Sequence, residues 1–152
     1  MKKVLICGAT GFIGKNITIG LSKNNNYEIH AIRYKRPKYD LPKNVIWHKA
    51  DLRNPKTVDK LVKGMDIVIQ CAATTSGSKD IVSMPYIHVT DNAIINSYMF
   101  RAAYNHKVKH FIFPSCTVMY PSSKKPTKES DFNGKIIDKY KGAGETKVYL
   151  EK

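Results

Sequence analysis

The 152-residue sequence predicts an α/β fold, a doubly wound parallel sheet of about five strands with flanking helices. Strand-like apolar runs alternate with helix-like segments along the chain, as right-handed βαβ crossovers require. One run, Ile67-Val68-Ile69, is apolar at every position, which indicates a strand covered on both faces. A glycine-rich turn at residues 8–14 joins the first strand to the first helix. We therefore expect one domain over residues 1–152.

Each element has its own local signal. Short apolar runs with β-branched residues predict strands at residues 3–7, 28–33, 45–49, 66–70 and 109–114. The second helix is the best marked, because Asn54 suits its N-cap, Pro55 its first position and Gly64 the residue after its end. In the third helix, apolar residues recur at helical spacing from Ile94 to Ala102. Helices are expected at residues 12–22, 54–64, 85 or 89 to 105, and 145–152, with a loop rich in Pro, Ser and Lys at 121–134.

The charge of the chain is strongly basic, with 26 Lys and Arg against 12 Asp and Glu and a net charge of +14. Such a charge suits nucleic acid, a phosphorylated substrate or an ordinary solvated surface. The lysines are spread along the sequence, which has no zinc-finger spacing, RNP-type aromatic motif or basic heptad array. We expect no nucleic-acid partner, and a basic nucleic-acid-binding module is the least favoured of the functional alternatives.

The apolar runs and the cysteines indicate a cytoplasmic protein. No run reaches the roughly 18 residues that a spanning helix needs, so no membrane partner is expected. The N-terminal residues resemble a signal peptide superficially, but glycines interrupt the apolar stretch and no cleavage site follows. Cys7, Cys71 and Cys116 are odd in number and far apart, which predicts neither a disulfide framework nor a metal site. Cys7 and Cys71 lie in strand-like runs and are expected to be buried.

The glycine-rich turn reads Gly8-Ala9-Thr10-Gly11-Phe12-Ile13-Gly14, and each glycine has a separate use. The first permits a tight turn, the second lets backbone N–H groups approach a pyrophosphate, and the third lets the helix pack closely on the sheet. The N-terminus of the helix then offers unsatisfied N–H groups and the positive end of its dipole. A strand before this turn and a helix after it predict a dinucleotide-binding loop.

The G-x-x-G-x-x-G spacing resembles the short-chain dehydrogenase/reductase superfamily, and G-A-T-G-F-I-G resembles its extended branch of epimerases and dehydratases. The segments at 51–52, 71–73, 107–111 and 114–120, with Asn92 in the long helix, are similar to further motifs of that family. The resemblance implies a Rossmann-type NAD(P)-binding fold, with Asp51 near the adenine amino group and residues 71–73 beside the pyrophosphate and nicotinamide ribose. The cofactor contacts that it implies are Gly8, Thr10, Gly11, Phe12, Ile13, Gly14, Asp51, Leu52, Cys71, Ala72, Ala73 and Asn92.

The choice of cofactor depends on the end of the second strand. An acidic residue there hydrogen-bonds the ribose hydroxyls of NAD, whereas arginine accommodates the 2′-phosphate of NADP. The position falls at Arg33, Arg36 follows closely, and no carboxylate occurs before Asp40. Arginine can bind a phosphate with two parallel hydrogen bonds and stack on adenine. We predict NADP as the cofactor, with NAD as the alternative. The explanation without a role in cofactor binding is that Arg33 and Arg36 belong to a solvated loop.

The resemblance also implies three catalytic groups: a tyrosine acid/base, a lysine four residues later on one helix face, and a serine or threonine that hydrogen-bonds the reacting oxygen. Three tyrosines, at 34, 39 and 120, have a lysine four residues on, but a proline interrupts each pair. Lys147 matches the family lysine, which also contacts the cofactor, yet Ala143 stands four residues before it. Tyr140 is seven residues away, beyond two glycines that disfavour a regular helix. The candidates for the hydroxyl are Ser115, Cys116 and Thr117, with Cys116 in the serine position and a thiol the weakest donor.

These features give two main hypotheses about function. The first is a sugar-nucleotide epimerase, dehydratase or reductase, most similar to the GDP-fucose-synthase-like group, of which this chain is the cofactor-binding part. Full members of the family are much longer, so we expect the substrate-binding part, and with it the nucleoside-diphosphate sugar site, to be absent. The second is a non-catalytic NADP-binding sensor or scaffold, which the alanine at 143 favours. Family dimers pair through the helix after the fourth strand and the active-site helix, so the resemblance also implies a homodimer as a candidate state.

Overall fold

The computed structural model describes the backbone of residues 1–152 and the side chains of residues 1–77 and 79–152. Five parallel strands form one sheet in the order β3-β2-β1-β4-β5, which is the order of a Rossmann-type fold and confirms the predicted class. The strands are β1 (Lys2–Cys7), β2 (Tyr27–Arg33), β3 (Val45–Lys49), β4 (Ile67–Gln70) and β5 (His110–Ile112).

Five α-helices connect or follow the strands. They are α1 (Phe12–Ser22), α2 (Pro55–Val62), α3 (Ser78–Ser83), α4 (Tyr86–Asn105) and α5 (Lys141–Glu151). Short 3₁₀ turns lie at Thr117–Met119, Glu129–Asp131 and Asp138–Tyr140. None of the helices in the described part of the chain has both the length and the apolarity needed to cross a membrane.

The chain divides into two compact units. The first, called the sheet unit, comprises residues 1–73 and 95–114, and the second, called the helical unit, comprises residues 74–94 and 115–152. Helix α4 contributes its first half to the helical unit and its second half to the sheet unit.

The core of the sheet unit lies on both faces of the sheet, because side chains alternate along each strand. On one face, Leu5 of β1 and Val68 of β4 pack with Val58 and Val62 of α2 and with Met99 of α4. The other face is covered by Ile17 and Leu21 of α1, which pack against five buried side chains, those of Val4, Ile6, Ile29, Ala31 and Ile69. Coverage of both faces explains why the strands are apolar with little alternation.

The ends of α2 agree with the local signals in the sequence. The Asn54 side chain accepts a hydrogen bond from the Thr57 N–H at 3.1 Å, and Pro55 is the first helical residue. Gly64 has a φ of +78° and follows the last turn. The helix therefore begins and ends where its capping residues predict.

Two expected boundaries are wrong. Strand β5 ends at Ile112 rather than at Pro114, because proline has no N–H for the ladder and restricts the backbone of the residue before it. Helix α5 begins at Lys141 rather than at residue 145, and Gly142 and Gly144 lie inside it. Their missing side chains allow close packing: a Cβ on Gly142 would lie 3.3 Å from Val89 Cγ2, and one on Gly144 would lie 2.7 Å from Ile136 Cγ2.

Helix α3 was not predicted from the sequence. It has six residues, fewer than two turns, so it shows no apolar periodicity that could be read from the chain. Its C-terminus is followed by Met84 and Pro85, which separate it from α4.

Candidate functional site

The glycine loop of the sheet unit leaves no space for side chains at two of its glycines. Gly8 has a φ of +70°, and a Cβ there would lie 2.8 Å from the backbone of Ala72. A Cβ on Gly14 would lie 2.3 Å from the carbonyl oxygen of Gly8. The Gly11 N–H donates to that same oxygen at 2.9 Å and closes the turn. Glycine is therefore required at 8 for its backbone conformation and at 14 for the approach of α1 to the loop.

The N-terminus of α1 is arranged to receive an anion. Gly11 is the N-cap residue and has no side chain with which to satisfy the first N–H groups of the helix. The side chains of Phe12 and Ile13 are 86% and 52% exposed, so they do not cover the helix end. Unsatisfied N–H groups and the helix dipole both favour a phosphate at this position. The loop therefore fits the pyrophosphate of a dinucleotide.

Two arginines lie at and just after the end of β2, and one of them contacts the glycine loop. Arg33 is the last residue of β2, and its Nη1 donates to the Arg36 carbonyl at 3.4 Å. Arg36 Nη1 in turn donates to the Thr10 carbonyl at 3.4 Å. Further along, the Tyr39 hydroxyl donates to the Ala9 carbonyl at 3.0 Å. Of the two predicted arginines, Arg36 thus contacts the loop that contains the glycines, and Arg33 contacts Arg36.

Asp51 lies after β3 and is bound by Arg53. Arg53 Nε donates to Asp51 Oδ1 at 3.0 Å and Nη2 donates to Oδ2 at 2.8 Å, while the Arg53 N–H also reaches Oδ1. These bonds lower the pKa of Asp51 from 3.8 to about 2. Arg53 Nη2 also donates to the Tyr34 hydroxyl at 3.0 Å, and the guanidinium lies 5.6 Å from the Tyr34 ring centre. Leu52, between Asp51 and Arg53, is buried in the core.

Sequence reasoning did not identify Arg53 or Tyr34 as part of this region. The spacing Asp51-x-Arg53 was a usable signal for the ion pair, because a two-residue offset lets an arginine reach back to the carboxylate. The contact with Tyr34 had no local signal, since it joins residues that are 19 apart in the chain.

The segment after β4 is held by a buried amide. Gln70 donates from Nε2 to the Ala72 carbonyl at 3.2 Å and accepts from the Ala72 N–H at the same distance. Gln70 Nε2 also donates to Asn96 Oδ1 of α4 at 3.0 Å, and both side chains are buried. Ala73, at the end of the predicted stretch, is exposed. The turn at 71–73 is therefore held in place by the buried side chain of Gln70, which Asn96 in turn positions.

The two cysteines of this region differ in burial. Cys7 is fully buried as predicted, and burial, together with the nearby Cys71, raises the pKa of its thiol far above the usual range. Cys71 is only half-buried, so the expectation of burial is wrong for this residue. Its position explains the difference, because it lies one residue beyond the end of β4 and outside the fully covered part of the strand.

In the helical unit, one face of α4 holds the segment that follows Ala73. Asn92 is buried and forms two hydrogen bonds with the backbone of Thr74: the Thr74 N–H donates to Oδ1 at 2.8 Å, and Nδ2 donates to the Thr74 carbonyl at 3.0 Å. Asp91 accepts from the Thr74 hydroxyl at 3.2 Å, and His88 Nε2 lies 2.8 Å from Ser76 Oγ. In this structure, Asn92 positions a loop, a role that its sequence context alone did not specify.

The catalytic candidates lie at two places in the helical unit. Ser115 and Thr117 are exposed and Cys116 is half-buried, at the start of the 3₁₀ turn Thr117–Met119. Ser115 Oγ lies 3.6 Å from Met119 Sδ, a weak contact for a hydroxyl. Helix α5 packs against this 3₁₀ turn, so the helix of Lys147 and the candidate hydroxyls share one packed cluster.

Tyr140 immediately precedes α5, and Lys147 is half-buried within it. The helix is continuous from Lys141 onward, which corrects the expectation that the two glycines would interrupt it. Seven residues of helix separate two side chains by roughly 10 Å along the axis, although both lie on nearly the same face. Ala143 lies one helical turn before Lys147, on the same face of α5.

Among the described residues, no group of three or more His, Cys, Asp or Glu side chains is arranged to hold a metal ion.

Comparison with known proteins agrees with this geometry. Residues 4–152 match the model of the NAD dependent epimerase/dehydratase family. GDP-mannose 3,5-epimerase 1 of Oryza sativa subsp. japonica is 30% identical over 137 residues, which are 85% of this chain and 36% of that protein. GDP-L-fucose synthase of Azorhizobium caulinodans is 28% identical over 133 residues, 86% of this chain and 38% of that protein.

Solved structures share the fold. The UDP-Glc/GlcNAc 4-epimerase of Campylobacter jejuni superimposes with a TM-score of 0.81 at 18% identity, covering 99% of this chain and 47% of that one. The UDP-glucose 4-epimerase of Bifidobacterium longum in complex with NAD+ and UDP gives 0.78 at 22% identity, with 99% and 47% coverage. The chain thus spans less than half the length of these relatives. Its sequence match over residues 4–152 places it in the NAD dependent epimerase/dehydratase family.

Proposed function

We propose that residues 1–152 form the NAD(P)-binding domain of a sugar-nucleotide epimerase, dehydratase or reductase. The observation that carries this proposal is the glycine loop, in which side chains at Gly8 and Gly14 would collide with backbone and the N-terminus of α1, at Gly11, has no side-chain cap. A nicotinamide dinucleotide, when bound, supplies hydride exchange at a sugar carbon. The part of the protein itself is to bind that cofactor, orient it and handle the proton.

We propose NADP as the preferred cofactor, with NAD as the alternative. Arg33 donates to the Arg36 carbonyl, and Arg36 donates to the Thr10 carbonyl of the glycine loop. Two guanidinium groups in this region suit a 2′-phosphate, which supports the proposal. Asp51, which follows β3, is bound by Arg53. On the family pattern, the remaining cofactor contacts are Cys71, Ala72, Ala73, Asn92 and Lys147, with Asp51 and Leu52 on the adenine side.

The proton-handling groups are less complete. Lys147 keeps the position of the family lysine, and Ser115, Cys116 or Thr117 supplies the group that hydrogen-bonds the reacting oxygen. Tyr140 is the tyrosine available near α5, but it lies two turns from Lys147 rather than one. We expect the chain as written to bind cofactor with little or no turnover. The names of the relatives specify GDP-mannose and GDP-L-fucose, and those of solved neighbours UDP-sugars, which supports a nucleoside-diphosphate sugar as the substrate class.

A second candidate is a non-catalytic NADP-binding sensor or scaffold. It is favoured by one observation, the alanine at 143 in a helix that otherwise keeps the family lysine. The two candidates differ in the effect of Ala143→Tyr. The substitution is tested in a full-length context that includes the substrate-binding part, with cofactor and GDP-mannose or UDP-glucose present. A variant that gains turnover supports the enzyme, and unchanged cofactor binding without turnover supports the sensor.

The first experiment is calorimetric titration of the purified chain with NADPH and then NADH at moderate salt. We expect tighter binding of NADPH, loss of both on Gly11→Val, and similar affinities for the two cofactors on Arg33→Asp. Gly20→Val is the matched control, because Gly20 lies in α1, the helix that Gly11 precedes, and nothing lies within 4 Å of an added Cβ there. Absence of binding by either cofactor would overturn the proposal.

The state of association and the basic charge are tested in the same preparation. Light scattering after size exclusion distinguishes a monomer from the homodimer that the family pattern implies. Binding to duplex DNA or RNA with a steep dependence on salt would support the third alternative, a basic nucleic-acid-binding module.

A further inference from the structure

Two side chains from the segment between β2 and β3 fasten that segment to the glycine loop. The Tyr39 hydroxyl donates to the Ala9 carbonyl at 3.0 Å, and Arg36 Nη1 donates to the Thr10 carbonyl at 3.4 Å. These two carbonyls are consecutive in the chain and directly precede the N-cap residue of α1. The backbone that leads into the N-terminus of α1 is therefore held by residues that lie more than twenty positions further along the sequence.

The ring of Tyr39 is itself fixed on two sides. The Trp47 ring of β3 meets it edge-on, with 5.1 Å between the ring centres and an angle of 80° between the planes. Lys15 Nζ of α1 lies 4.8 Å from the centre of the Tyr39 ring. Burial raises the pKa of Tyr39, although a hydrogen bond with Thr18 opposes this change. The hydroxyl therefore keeps its proton near neutral pH and remains a donor to the loop.

Holding the carbonyls also fixes the N–H groups of the loop. A peptide unit is planar and trans, so the direction of its carbonyl sets the direction of its N–H. The Gly11 N–H shares a peptide unit with the Thr10 carbonyl, and it donates to the Gly8 carbonyl at 2.9 Å. A loop that is ordered before its ligand arrives loses less conformational freedom on binding. If the loop is in its binding conformation for only part of the time, its apparent affinity falls by that fraction.

We propose that Tyr39 is a positioning residue for the pyrophosphate, because its hydroxyl holds the Ala9 carbonyl and keeps the glycine loop in the conformation that receives the phosphates. This inference rests on the proposed function, since it requires the chain to bind a dinucleotide. It goes further by assigning part of the affinity for the pyrophosphate to a residue outside the glycine loop. NADP and NAD share the pyrophosphate, so the contribution of Tyr39 is the same for both, unlike that proposed for Arg33.

The test measures NADPH and NADH affinity by calorimetry at 25 °C for the wild type, Tyr39→Phe and Tyr104→Phe. Tyr39→Phe keeps the ring and removes only the hydroxyl, so both cofactors should bind about five-fold more weakly while the ratio of their affinities stays within about two-fold of the wild type. Tyr104→Phe is the matched control, because its side chain is 85% exposed on α4, and both affinities should be unchanged. Arg33→Asp should change the ratio instead.

Amide hydrogen exchange followed by NMR separates positioning from a general loss of stability. In Tyr39→Phe without cofactor, the Gly11 amide should exchange about five-fold faster, while the amide of Ile6 in β1 should be unchanged. A merely structural role would accelerate exchange in β1 as well, because the whole domain would open more often. If Tyr39→Phe fails to fold, the wild type still gives a test: its Gly11 amide should be protected at least about ten-fold before cofactor is added.

Three results overturn the inference alone when the wild type binds a cofactor. They are unchanged affinities in Tyr39→Phe, a loss confined to one of the two cofactors, and an unprotected Gly11 amide in the cofactor-free wild type. A wild type that binds neither NADPH nor NADH overturns the proposed function and this inference together.

Discussion

Replacement of Gly14 by alanine provides a direct test of how α1 is joined to the sheet. An added Cβ would lie 2.3 Å from the Gly8 oxygen and 2.8 Å from the Gly8 carbonyl carbon, whereas ordinary contact begins at 3.4 Å. Both atoms belong to the backbone of a turn that already has a positive φ, so the strain cannot be removed by a change of rotamer. The helix or the loop has to move by about 1 Å, on the scale by which core overpacking is felt.

The magnitude follows from two opposing effects. Overpacking against fixed atoms costs up to about 3 kcal/mol, while alanine in place of glycine gains up to about 1 kcal/mol in helix propensity. We therefore expect the free energy of unfolding to fall by about 2 kcal/mol. For a chain of this size the melting temperature should fall by roughly 4–8 °C. Cofactor binding should also weaken, because the first turn of α1 is displaced from the loop.

Gly20→Ala is the matched control for this prediction. It lies in the same helix with nothing within 4 Å of an added Cβ, so it should be stabilised by up to about 1 kcal/mol. Urea unfolding followed by circular dichroism measures both variants against the wild type. If Gly14→Ala proves as stable as Gly20→Ala, the close approach of α1 to Gly8 is not a real constraint and the reasoning about the loop is wrong.

Three other predictions concern separate parts of the molecule. The pKa of Asp51 is lowered from 3.8 to about 2, so its stabilising contribution is complete above pH 3.8 and is lost as the pH falls towards 2. Because this pair is more than a third exposed, its contribution is about 1 kcal/mol after screening. Asp51→Asn should therefore reduce the loss of unfolding free energy between pH 4 and pH 2 by that amount, as measured by urea unfolding. Asn92→Leu removes both hydrogen bonds to the Thr74 backbone, so the free energy of unfolding should fall by about 2 kcal/mol and amide exchange at Thr74 should become faster. Thr90→Val, on the exposed face of α4, is the control and should change the free energy of unfolding by less than about 0.5 kcal/mol. Iodoacetamide should alkylate the half-buried Cys116 in the folded protein but Cys7 only after unfolding, and peptide mass mapping measures both. Alkylation of Cys7 in the folded protein at a rate similar to that of Cys116 would contradict the burial of Cys7.

Elements with self-contained signals could be predicted closely from the sequence. Helix α2 is an example, because Asn54, Pro55 and Gly64 each act on the backbone next to them and need no distant partner. The glycine loop is another, since the positive φ of Gly8 and the contact of Gly14 with the Gly8 carbonyl both arise within one strand, turn and helix unit. In both cases the local preference and the tertiary structure agree, which is the condition under which sequence patterns are informative.

The differences arise where a distant contact decides the local structure. Gly142 and Gly144 lower helix propensity, yet α5 runs through them, and Val89 and Ile136 pack in the space that side chains at these positions would need. The position of Arg53 depends likewise on the pairing of β2 with β3, which brings Tyr34 within reach. Neither the packing at Gly142 and Gly144 nor the contact of Arg53 with Tyr34 has a signal in the neighbouring sequence, so neither could be predicted without the three-dimensional structure.

The outer position of β5 has a consequence for how the protein behaves in concentrated solution. An exposed strand edge is a template on which another chain can pair and begin to aggregate. Here β5 offers only three residues, Pro114 removes the donor two positions later, and Lys107 and Lys109 place charge just before the strand. The half-exposed Ile112 is thus flanked by gatekeeper residues. Within residues 1–152, these residues and a net charge of +14, which adds repulsion between molecules, disfavour the pairing of a second chain at this edge.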